Sequence, residues 1–196
     1  MKFRIVLCAL IVGVCLLSLA KGMEASNDEK RVAIIYGSRY GSTAQTAEWI
    51  AEGMGGVPEV MSAKDVGDLS YYDLIILGSG IYSGQLQEDM LAFLAERKDE
   101  VAPKIVALFV VCGASGPSAE RYLEMFAAEC GGITPILTRD FRGWLKKELL
   151  TPEDYQLMEN LYKRRNQPFE NYDNTDKTKC IEFGKEIWEA IKDAPQ

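Results

Sequence analysis

Three stretches of the chain are apolar at every position: Val32 to Tyr36, Leu74 to Leu77 and Ile105 to Cys112. A strand with one wet face alternates apolar and polar residues, whereas a strand covered by helices on both faces does not. These runs therefore predict the central strands of a parallel sheet. Each run leads into a glycine-bearing loop and then a helical spacing. Gly37 to Gly41 precedes Thr43 to Met54, where Ala44, Ala47, Ala51 and Met54 share a face and Ser42 with Gln45 has the form of a capping box. Gly78 to Gly84 precedes a helix predicted over Leu86 to Arg97. Gly113 to Pro117 precedes Ser118 to Glu129, with Ser118 as N-cap ahead of Tyr122, Leu123 and Phe126.

Weaker signals complete the pattern. Pro58 to Met61 is expected as the second strand and Thr134 to Leu137 as the fifth, both near an edge because proline gives no amide to a ladder. The last helix is predicted over Thr175 to Ile191, with Ile181, Gly184, Trp188 and Ile191 at helical spacing and a cap at Asn174 or Thr175. Phe141 to Asn174 is too long for a plain connection, so a helix at Pro152 to Lys163 followed by an irregular polar loop is expected there. Alternating strand, loop and helix predicts an α/β domain over residues 31–196, with a doubly wound five-stranded parallel sheet, right-handed crossovers and helices on both faces.

The start of the chain stands apart from this pattern. Lys2 and Arg4 precede an uncharged run from Ile5 to Ala20, and Ser18-Leu19-Ala20 offers a small-x-small cleavage site. Residues 1–20 thus read as a Sec-type signal peptide or as an uncleaved membrane anchor, the run being shorter than the about 20 residues of a full span. Either reading places the folded part outside the cytoplasmic membrane, as an exported protein that is periplasmic, extracellular or anchored at the outer face.

Charge and composition narrow the chemistry. The chain has 22 Lys+Arg against 29 Asp+Glu, a net charge of −7, and loss of residues 1–20 would remove two cations and no acid. Nucleic acid is therefore not expected as a partner. There is no histidine, which excludes Ser-His-Asp and Cys-His catalysis and His-based metal sites. Cys8 and Cys15 fall in the N-terminal run, and Cys112, Cys130 and Cys180 form no C-x-x-C. No metal is expected, and any reaction is expected to be a cofactor's.

In an open parallel sheet the ligand lies beyond the carboxyl ends of the strands, where all three loops meet. Ser38-Arg39-Tyr40-Gly41-Ser42-Thr43 supplies hydroxyls, backbone amides and a helix N-terminus, the arrangement that holds a phosphate. It lacks both the Gly-Lys-Ser/Thr ending of a triphosphate loop and the G-x-G-x-x-G of a dinucleotide fold, so one phosphate is expected.

These residues resemble the flavodoxin superfamily, whose first strand ends in a Ser/Thr-x-Thr-Gly-x-Thr loop around the phosphate of FMN. Ser38, Gly41 and Thr43 match, Tyr40 replaces a hydroxyl residue, and Ser42 stands where asparagine is common. The resemblance continues through Y-D-L-I-I-L-G-S-G-I-Y-S-G, Tyr72 to Gly84, and through Val111-Cys112-Gly113, and covers roughly Val32 to Phe126. It implies strand order 2-1-3-4-5 and FMN as cofactor. Tyr82 would stack on the isoalloxazine ring, with the backbone of Gly80, Ile81, Ser83 and Gly84 near N5. Cys112, Gly113, Ala114, Ser115 and Gly116 would contact the pyrimidine side, Cys112 through its backbone. Arg39 departs from the pattern and would either strengthen anion binding or be solvated. Ser83 stands where many relatives have glycine, and Gly84 after it predicts a type II turn. Y-G-S-R-Y-G-S-T, F-R-G at Phe141 to Gly143, and Asp173-Asn174-Thr175-Asp176 resemble the branch that includes menaquinone-dependent protoporphyrinogen oxidase.

Three functions fit this reading. An electron carrier needs FMN and an acidic face toward redox partner proteins. An oxidoreductase using membrane quinone would use Phe141 to Asn174 as a lid, with Trp144, Tyr155, Tyr162 and Phe169 as apolar surface and Lys163, Arg164 and Arg165 meeting carboxylates. A non-redox receiver or binding module is the third, although Ile34-Ile35-Tyr36-Gly37 lacks the acids a phosphoacceptor needs.

Overall fold

The computed structural model describes residues 30–192. The signal or anchor expected at residues 1–20 lies outside them. Strands β1 (Val32–Gly37), β2 (Glu59–Ser62) and β3 (Leu74–Tyr82) are followed by a short β4 (Gln85–Leu86), then β5 (Ile105–Cys112) and β6 (Leu137–Arg142). A small ribbon joins β7 (Trp144–Leu145) to β8 (Tyr172–Asp173). Helices are α1 (Ser42–Gly53), α2 (Glu88–Val101), α3 (Pro117–Glu129), α4 (Pro152–Arg164) and α5 (Lys177–Ile191). The main sheet runs β2-β1-β3-β5-β6 with every neighbour parallel, and β4 folds back antiparallel on β3. Counting only the long strands, this is the 2-1-3-4-5 order.

The unbroken apolar runs have a direct cause. Alternate residues of each strand enter different cores. Ala33, Ile35, Ile75, Leu77, Leu108 and Val110 pack with Met90, Phe93 and Leu94 of α2 and Phe126 of α3. Val32, Ile34, Ile76, Phe109 and Val111 pack with Ala47 and Ile50 of α1 and with Phe183, Ile187 and Ile191 of α5. On this second face α1 and α5 cross at two glycines: a Cβ on Gly53 would lie 2.2 Å from the Ile181 carbonyl oxygen, and one on Gly184 would lie 2.1 Å from that of Ile50.

Several boundaries differ from the sequence expectation. The fifth long strand is Leu137–Arg142 rather than Thr134 to Leu137. Pro135 has no amide to donate, and an edge strand tolerates the polar Thr138, Arg139 and Asp140. Helix α2 starts two residues late because Gln85 and Leu86 pair with β3. The buried Gln87 then caps α2, its Oε1 accepting from the amides of Asp89 at 2.9 Å and Met90 at 3.2 Å. Helix α3 begins with Pro117 after Gly116, so Ser118 is not its cap. Asp176, not Asn174 or Thr175, caps α5 by accepting from the Lys179 amide at 3.2 Å. Among the described residues no helix is long and apolar enough to cross a membrane.

Candidate cofactor site

The order reverses between β1 and β3, so the loops after these strands face each other across the sheet's carboxyl edge. After β1, Gly41 turns the chain at φ 90, and its amide donates to Ser38 Oγ at 3.1 Å. Gly41 itself is the N-cap of α1, so the Ser42–Gln45 capping box does not form. The left-handed turn instead sends Ser42 and Thr43 inward: Ser42 is buried, and Thr43 is fully buried with an Oγ1 that has no hydrogen-bond partner among the described residues. A buried polar atom without a partner is costly, and its place is at a helix N-terminus.

The floor opposite this loop is the end of β3. Ser79 is buried; its Oγ accepts from the Gln87 amide at 3.0 Å and donates to the Gly80 carbonyl at 3.0 Å. A Cβ on Gly80 would lie 3.0 Å from Thr43 Oγ1 and 2.7 Å from Tyr82 Cε2. Any side chain there would fill the cradle that Thr43 faces.

Tyr82 and Gln85 are paired across the two residues between them, with Ser83 at φ 50 and Gly84 at φ 83. Positive φ at both central positions makes a type I′ hairpin turn, not the expected type II. The I′ twist matches the antiparallel β3–β4 pair, which the loop signals of the sequence do not reveal. The Tyr82 ring leans toward the first loop: its hydroxyl accepts from the Arg39 amide at 3.1 Å, and the ring meets Tyr40 edge-on at 6.0 Å. Burial pushes the Tyr82 pKa up.

Arg39 is exposed, but its guanidinium is ion-paired away from the anion cradle. Its guanidinium pairs with Glu88 and, at 2.8 Å, with Asp154, while its carbon sits 4.8 Å from the Tyr82 ring centroid. These partners, Glu88 first, push its pKa further up. Tyr40 donates its hydroxyl to Asp154, and Trp144 Nε1 donates to the Tyr40 carbonyl at 2.8 Å. Trp144 also covers Gly41, where an added Cβ would lie 3.2 Å from its ring, and a Cβ on Gly143 would lie 2.9 Å from Ser42 Oγ. The segment 141–174 therefore braces the outside of the first loop. Of the residues expected to form a lid, Trp144 does this bracing. Tyr155, Tyr162 and Phe169 pack on one another, with Phe169 5.1 and 5.5 Å from the other two rings. Lys163, Arg164 and Arg165 are exposed at the end of α4.

The third loop completes the rim. Cys112 is buried, its Sγ donates to the Ala114 carbonyl at 3.6 Å, and burial pushes the thiol pKa up. Gly113, Ser115 and Gly116 are exposed and Ala114 is half-buried. The structure thus brings all three expected loops to one edge. It also adds Ser79 and Gly143, which lie inside the motifs above but carry no expected role, and Gln87, Glu88 and Asp154, which carry no local motif.

The Flavodoxin domain family matches residues 33–171. The chain belongs to that family. Flavodoxin 2 of Bacillus cereus, in its oxidised form, is 21% identical over 82% of this chain and 99% of its own, with a TM-score of 0.52. The Flv1 flavodiiron core of Synechocystis sp. PCC6803 is 19% identical over 86% of this chain and 38% of its own, with a TM-score of 0.53. A flavoprotein of Lactobacillus acidophilus NCFM, solved in complex with FMN, is 19% identical over 57% of this chain and 93% of its own, with a TM-score of 0.46. At these identities the likeness is one of fold. A search of curated proteins gave no match. In this flavodoxin domain the unpartnered Thr43 hydroxyl, the Gly80 cradle and the α1 N-terminus fit one phosphate monoester.

Proposed function

We propose that this flavodoxin domain binds FMN and acts as an electron carrier. The observation that carries the cofactor assignment is the buried Thr43 hydroxyl without a partner, placed where β1 hands the chain to α1 in a flavodoxin fold. Thr43, Ser38, Ser42 and the amides of Arg39, Tyr40 and Gly41 would hold the phosphate. Tyr82, with the backbone of Gly80, Ile81, Ser83 and Gly84, would lie along one side of the ring system, and Cys112 to Gly116 along another. Bound FMN supplies the exchange of one or two electrons. The chain's own part is to fix the phosphate, exclude water beneath Gly80 and leave an edge open at Gly113 to Gly116. The chain's lack of histidine and the exposure of that loop support electron exchange with a partner over proton-coupled work on a bound substrate.

The acidic balance of the chain supports basic redox proteins as partners, and the pattern of residues 1–20 supports export with or without anchoring. A second reading, an oxidoreductase delivering electrons to membrane quinone, draws on Leu149 and Leu157. These are 49% and 47% exposed on the segment that braces the site.

The test is an anaerobic reductive titration of the FMN-loaded full chain, followed by visible absorption, with a menaquinone analogue added at the end. Two resolved one-electron steps and no response to quinone are expected of the carrier. A single two-electron reduction reversed rapidly by quinone would assign the oxidoreductase instead. A colourless protein that takes up no FMN would overturn both.

A further inference from the structure

The first loop already has an acceptor in it. The Tyr82 phenol oxygen takes the Arg39 amide at 3.1 Å. This oxygen and the orphan Thr43 hydroxyl lie equally close to one point: each is 3.0 Å from the Cβ that Gly80 lacks. That amide lies just ahead of the α1 N-terminus, among the donors an anion would need. Arg39 lies over the ring and is itself tied to Glu88 and Asp154, so the phenol is held from its face as well as at its tip.

We propose that the Tyr82 hydroxyl is a placeholder for a phosphate oxygen, and that arrival of the cofactor's phosphate displaces it and frees the ring to turn toward the flavin. The inference rests on the FMN reading above and adds a role for Tyr82 before the ring system is seated. One amide hydrogen shared between two acceptors bonds each more weakly than it bonds one, so the two compete. A phosphate oxygen wins because charge-assisted hydrogen bonds are roughly twice as strong as neutral ones. Release of the ring is then coupled to phosphate recognition. A flavin without phosphate must break the Tyr82 contact and leave the Arg39 amide without a replacement, whereas FMN supplies one. Tyr82 thereby becomes a determinant of selectivity for phosphate-bearing flavins, through its hydroxyl rather than its ring.

Two titrations of the full chain, stripped of FMN, test this. Inorganic phosphate is titrated calorimetrically into the wild type and Tyr82→Phe. The variant keeps the ring but has nothing to compete for the Arg39 amide, so phosphate binds it about five-fold more tightly. Equal or weaker phosphate binding by the variant would overturn the proposal, because the hydroxyl would then be a bystander or a phosphate ligand. Riboflavin is titrated into the wild type with and without saturating phosphate. Phosphate is expected to tighten riboflavin several-fold, with the reciprocal effect of riboflavin on phosphate equal in size. No effect of phosphate on wild-type riboflavin affinity would overturn the proposal even if Tyr82→Phe did not fold. Failure of the wild type to bind FMN is a separate outcome that sinks the cofactor reading itself.

Discussion

Asp154, in the first turn of α4, accepts from the Arg39 guanidinium at 2.8 Å although 115 positions separate them. The same carboxylate takes the Tyr40 hydroxyl, so one acid from the segment 141–174 fixes two residues of the phosphate loop. The Tyr40 bond, then Arg39, hold its pKa below the ordinary aspartate value. A depressed native pKa means stability that is present above the unfolded value of about 4 and is lost as pH falls through the lower native value.

Asp154→Ala is therefore expected to destabilise the domain by about 1–2 kcal/mol at neutral pH and to flatten the acid limb of a melting-temperature profile. Thermal unfolding followed from pH 7 downward checks both. A variant with the wild-type acid limb would show that the contact contributes nothing to the linkage.

Thr43→Val separates binding from folding. Without FMN the hydroxyl is buried and unpartnered, so its removal is expected to raise stability by about 1 kcal/mol, while FMN affinity drops about ten-fold. Melting of the FMN-free protein and a flavin fluorescence titration give the two numbers. Lost stability with unchanged FMN affinity would make Thr43 a structural residue only.

The hairpin turn can be read by proline. A type II turn accepts proline at its first central position, whereas φ 50 at Ser83 forbids it. Ser83→Pro is expected to cost about 2 kcal/mol, measured by urea unfolding. A neutral result would mean that the turn is type II after all.

The crossing of α1 and α5 admits no Cβ. Gly184→Ala would place a carbon 2.1 Å from the Ile50 carbonyl oxygen, which belongs to a helix backbone and cannot rotate away. A loss of at least about 2 kcal/mol is expected, read from the urea midpoint. Gly55→Ala, at a position with nothing within 4 Å, gives the cost of positive φ without a clash.

What the sequence determined by itself was the scaffold: apolar runs without alternation, each followed by a glycine-bearing loop and a helical spacing, pointed to Val32 to Tyr36, Leu74 to Leu77 and Ile105 to Cys112 as strands buried on both faces. The loop from Ser38 to Thr43 was legible for the same local reason, because glycine, hydroxyls and a helix start occur consecutively in the chain. Only the tertiary structure decided what surrounds that loop. Asp154 and Trp144 act on residues more than a hundred positions away; the sequence suggested a lid role for Trp144, not this one, and nothing marked Asp154. The hairpin that sets Ser83 at positive φ depends on Gln85 and Leu86 pairing with β3, a choice made between strands. The tilt of Tyr82 onto the Arg39 amide is of the same kind, because a phenol's partner is settled by what packs around it and not by the residues beside it.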